Sequence, residues 1–140
     1  MSQDSYSESI EYIPIDEYRI RNKDFKVTED ELYNLRSAVG QLNWLSCVTR
    51  PDIAFDVSVL SSNVKEARIS DLIYANKVIR RVKNDKSHIR FSPLDLSSVS
   101  IVSFADASYN NLKDGGSQGG HIVGGEQNYA MSKFLKIHFF

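Results

Sequence analysis

Asp106 follows an apolar run, Val99 to Ala105, and leads into Ala107-Ser108-Tyr109 and the small-residue stretch Asp114-Gly115-Gly116-Ser117-Gln118-Gly119-Gly120. A second apolar run, His121-Ile122-Val123, comes next. The pattern reads as a buried strand, an acid, a turn and a return strand. A carboxylate held at the end of a buried strand suits a hard divalent cation such as Mg²⁺, which takes oxygen ligands and can activate water in a nuclease. An acid there serves equally well as a helix or turn cap, and Asp114-Gly115-Gly116 is a tight-turn sequence. Gly115 to Gly120 lacks the Lys-Ser/Thr ending of a phosphate loop. Ser108 and Ser117 have no nucleophile-elbow context. His88, His121, His138 and Cys47 lie too far apart for a zinc spacing.

The second chemical feature is charge. The whole chain carries a formal net charge of −1, but the charges are segregated. Residues 65–90 hold eight bases against three acids, and residues 1–31 hold nine acids against four bases. Lys77, Arg80, Arg81 and Lys83 fall together on one stretch. They make either a solvated helix face or a local phosphate-binding surface.

These groups need elements to position them. Residues 1–27 are polar and acidic, with a weak apolar centre at Ile10-Glu11-Tyr12-Ile13-Pro14-Ile15, and read as a tail or linker. Thr28-Glu29-Asp30-Glu31 is a capping-box sequence, and Leu32, Leu35, Val39, Leu42 and Leu45 follow at helical spacing. Gly40 inside that pattern suggests a close helix contact. Trp44 and Cys47 read as core, with a stacking role open to Trp44. Thr49 or Arg50 precedes a second helix with Pro51 at its first position, carrying Ile53, Val57, Leu60 and Val64 on one face. Ser70 is positioned to cap a third helix with the stripe Leu72, Ala75, Ile79 and Val82. The period then changes: Ile89-Arg90-Phe91 is a short strand, residues 93–98 a loop, and Gly119 to Gly124 and Asn128 to Ser132 further strands.

The combination is more specific than its parts. Leu35 to Leu45, Thr49-Arg50-Pro51-Asp52-Ile53-Ala54-Phe55-Asp56-Val57, Ala75 to Arg80 and the Asp106 segment occur in this order and at these intervals. From about Ile13 to Gly125 the chain resembles the Pol polyprotein of copia-type LTR retrotransposons, in the segment joining reverse transcriptase to ribonuclease H and the start of ribonuclease H. The resemblance implies an α+β fold: a three-helix connection segment followed by the opening antiparallel strands of a ribonuclease H-like mixed sheet. It divides the chain into a tail at 1–27, a helical connection region at 28–92 and a partial ribonuclease H-like domain at 93–140.

The parent activity implied is Mg²⁺-dependent hydrolysis of the RNA strand of an RNA/DNA hybrid. Asp106 stands at the position of the first catalytic, metal-binding carboxylate, and Lys77, Arg80, Arg81 and Lys83 become candidates for phosphate contact. The partner carboxylates are not recognisable: Glu126 falls in the hairpin region, and residues 134–140 match no expected element. One carboxylate does not hold two metal ions, so this stretch alone is expected to bind Mg²⁺ weakly and to be inactive as a nuclease. The alternative is a non-catalytic nucleic-acid-binding or interaction module. The implied partners are an RNA/DNA hybrid or other nucleic acid and the remainder of a Pol protein.

Composition is ordinary for a globular chain, 41% apolar and 25% charged. No apolar run is long enough to cross a membrane, so no membrane partner is expected. A single cysteine points to a reducing compartment, cytoplasm or nucleus.

Overall fold

The computed structural model describes residues 2–86, 100–108, 118–127 and 130–139. The strand expected at 89–91, the loop at 93–98, the boundary at 92/93 and the turn at 109–117 lie outside them. The described residues are α+β: one compact unit is helical, and the other consists of three strands.

The helical unit is built on three long elements. Helix α3, Glu29–Val48, starts where the capping box requires. The Glu31 N–H donates to Thr28 Oγ1 (3.3 Å), and the Thr28 N–H donates to Glu31 Oε2 (2.8 Å). Its stripe Leu35, Ala38, Val39, Leu42 and Leu45 is buried. A 3-10 turn at Pro51–Ile53 leads into α4, Ala54–Asn63, which buries Val57 and Leu60. A second turn, Val64–Glu66, precedes α5, Ile69–Asn84. Helix α5 buries Leu72, Ala75, Val78, Ile79 and Val82 against the same core. Its cap is not Ser70, which sits inside the helix. The Asp71 carboxylate accepts from the Arg68 N–H (2.8 Å) and takes that role.

Residues 2–27 are not a tail. Helix α1, Asp4–Ser9, and the short α2, Glu17–Ile20, belong to the helical unit, and Ile10 and Ile13 are buried in its core. The physical reason is long-range. Ile13 donates its N–H to Asn76 Oδ1 and accepts from Asn76 Nδ2, both at 2.8 Å. Arg19 of α2 grips Glu31 with Nε and Nη2, each at 2.8 Å. Two half-paired backbone groups and one charge are thus satisfied by partners in other helices, where no local pattern announces them.

Three further readings are corrected. Trp44 is 55% exposed and Cys47 is exposed, because both fall on the side of α3 opposite its leucine stripe. Gly40 makes no close contact: a Cβ built there meets nothing within 4 Å.

In the other unit, β1 (Ser100–Ser108), β2 (Gln118–Gln127) and β3 (Ala130–Phe139) form an antiparallel sheet in the order β1-β2-β3. Asp106 lies inside β1 rather than beyond its end, opposite Gly120, while Phe104 stands opposite Ile122 and Ile122 opposite Ile137. Irregularities in the β2–β3 pairing fall at Val123/Gly124 and Gly125/Gln127. Glu126 is in β2, and β3 continues well past the Ser132 limit read from sequence.

Candidate nucleic-acid interface

The helical unit gives its four marked bases different work. Lys77 and Arg80 are exposed on the outer face of α5 and form no ion pair among the described residues. Arg81, one residue on, is 45% exposed and anchored: its Nη2 pairs with Asp56 Oδ2 and donates to the Asp52 carbonyl (3.3 Å). Asp56 also accepts from the Tyr74 hydroxyl. Burial, reinforced by that hydrogen bond to Asp56, pushes the Tyr74 phenol up to about 12. The Arg81 guanidinium is therefore held at one nitrogen, and its Nε and Nη1 carry no hydrogen bond among the described residues. A planar fork held this way loses little freedom on meeting a phosphate.

Lys83 does not share that face. Its Nζ donates to the Glu8 carbonyl (3.0 Å) and sits 5.1 Å from the centre of the Tyr12 ring, so it fastens the N-terminal segment to α5. The basic face is thus Lys77, Arg80 and Arg81, and Lys83 lies on the flank.

Sequence reasoning missed the role of Arg50. Its side chain is 4% exposed. Nε and Nη2 form a two-point contact with the Asp52 carboxylate (2.8 and 2.9 Å). Nη1 donates to the carbonyls of Val82 (3.2 Å) and Asp85 (2.6 Å) at the C-terminal end of α5. A cation satisfying the last carbonyls of a helix also complements its dipole. The hydrogen bond from Arg50 holds the Asp52 carboxyl below its ordinary range, and that to Asp52 raises the guanidinium further. The Thr-Arg-Pro-Asp segment therefore locks the turn after α3 to the C-terminal end of α5. The visible signal was an Arg-x-Asp pair flanking Pro51.

Asp106 is exposed, and its Oδ1 accepts from the adjacent Ala107 N–H (2.9 Å). Among the described residues no group of three His, Cys, Asp or Glu is placed to hold a metal ion. A two-Mg²⁺ centre requires carboxylates beyond Asp106. Among them, too, no helix is long and apolar enough to cross a membrane. No protein-family model matches the chain, and neither a curated protein nor a solved structure matches it.

Proposed function

We propose that the chain is the connection segment and first ribonuclease H strands of a copia-type retrotransposon Pol protein, and that this stretch contacts an RNA/DNA hybrid without cutting it. The observation that carries the contact is the trio Lys77, Arg80 and Arg81 on one helix, with Arg81 anchored by Asp56. Residues three and four apart on a helix have Cβ atoms about 5–6 Å apart, which suits neighbouring phosphates. The order of elements supports the assignment: helices first, then an antiparallel meander with Asp106 in its first strand. Contacts of this kind recognise backbone and shape rather than sequence.

The test is hybrid binding by fluorescence anisotropy across a salt series, with a cleavage assay in Mg²⁺ on the same substrate. Three phosphate contacts give a log–log salt slope of about −2 to −3. Lys77→Ala with Arg80→Ala should flatten it by about 2. Mg²⁺-dependent cleavage lost in Asp106→Asn would overturn the non-cutting half of the proposal. Binding that ignores both salt and the double variant would overturn the other half.

A further inference from the structure

A cleft of about 360 Å³ runs between the N-terminal segment and α3, lined by Glu11, Tyr12, Asn34, Ser37, Ala38 and Gln41 among others. It lies beside the buried stripe of α3, with Ala38 at the border of both. Its volume is that of a small-ligand or short-peptide site. Among the residues named, the charge is a single carboxylate, Glu11, and no base lines the cleft. An anionic phosphate is therefore disfavoured there.

The polar groups are side-chain amides in a row. Gln41 Nε2 donates to Ser37 Oγ (3.2 Å), which fixes that amide, and its carbonyl takes no hydrogen bond among the described residues. The half-buried Asn34 amide forms no hydrogen bond among the described residues. Asn34 and Gln41 are seven residues apart, about 10.5 Å along a helix axis. Three residues of extended chain span about 10 Å.

The same molecule already uses this chemistry on itself. Across the N-terminal segment, Asn76 of α5 reads the Ile13 backbone with both ends of its amide, at 2.8 Å each. Ile13 precedes Pro14, which favours an extended conformation, and Ile10 and Asp16 on either side of the segment are extended. Alternation in extended chain turns the Tyr12 N–H and C=O away from the side that Asn76 reads. Those groups have no backbone partner among the described residues.

We propose that this cleft binds an extended peptide segment carrying a basic residue. The peptide backbone lies between the Tyr12 peptide groups and the Asn34–Gln41 amide row, and its cation meets Glu11. The partner is a polypeptide, so the site is independent of the basic face of α5.

The probe is the capped peptide acetyl-Val-Lys-Val-Lys-amide, titrated into the ¹⁵N-labelled full chain. The expected result is saturable shifts at the side-chain amides of Asn34 and Gln41 and at the Tyr12 N–H. Asn34→Ala with Gln41→Ala should weaken binding about tenfold, the effect of losing two hydrogen bonds, and Glu11→Gln should weaken it less. Alanine is the best helix former, so the melting curve of the double variant checks that α3 is intact. Lys77→Ala with Arg80→Ala should leave the titration unchanged. No saturable shift, shifts that survive the Asn34/Gln41 variant in a folded protein, or equal shifts with oligothymidylate would each overturn the proposal.

Discussion

The helical unit and the strands differ in how their apolar residues are used. In the helical unit a core from Ile10 to Val82 is buried, where several helices share it. In β1, by contrast, Ile101 is 77% and Phe104 51% exposed. Polar groups follow the same division. Arg50, Arg19 and Asp56 tie parts of different helical elements together, and Asn76 ties α5 to the segment around Ile13, whereas Asp106 bonds its own neighbour. Helices joined by short turns reach a closed core within one segment of chain. A three-stranded meander satisfies its ladder through its own backbone. The described core contacts therefore lie in the helical unit.

That contrast is broken or sharpened first in the core. Leu72→Ala should cost about 2–5 kcal/mol in urea denaturation followed by helical circular dichroism. Phe104→Ser should move the same transition by no more than about 0.5 kcal/mol. Equal effects would erase the distinction. Arg50→Met should cost about 3 kcal/mol, because it strips partners from the buried Val82 carbonyl and from the Asp85 carbonyl at the end of α5, and Arg50→Lys should recover little of it. Thr28→Ala removes half of the capping box and should cost about 1 kcal/mol.

The pH dependence should come from the helical unit too. Burial pushes Glu31 upward, but the Thr28 N–H and the Arg19 guanidinium outweigh it and hold the carboxyl below its ordinary range. The Arg50 hydrogen bond lowers Asp52 likewise. A depressed carboxyl contributes stability that is complete above the unfolded value, about pH 4, and lost as pH falls through the folded one. Tyr74, pushed up to about 12, contributes stability that is complete below the ordinary phenol value of about 10 and lost as pH rises further. Glu31→Gln should flatten the acid limb of a thermal-melt series, and Tyr74→Phe the alkaline limb. A small gain is expected at Gly40. The position is open and helical, so Gly40→Ala should stabilise by about 0.5–1 kcal/mol, read from the same urea midpoint.

What was legible in the sequence was local. The cap at Thr28, the leucine stripe of α3 and the apolar face of α5 depend on residues three to seven apart, and spacing announces them. Ile10 and Ile13 read as part of a tail because what holds that segment is distant: Asn76, more than sixty positions on, pairs with the Ile13 backbone. Trp44 and Cys47 were misread for the opposite reason: residue type suggested core, while the helical angle put them outside. Of the basic cluster, the sequence showed the charges but not their partners. Only the packing of α4 and α1 on α5 separates Arg81, anchored and half-exposed, from Lys83, fastened to the N-terminal segment.

The proposed contact puts the helical face, not β1, against nucleic acid, and NMR shift mapping of the ¹⁵N-labelled full chain with a short RNA/DNA hybrid tests it most directly. The prediction is shifts concentrated at Lys77 to Arg81, fading with added salt, and none centred on Asp106. Shifts centred on β1 around Asp106, with α5 unmoved, would contradict it.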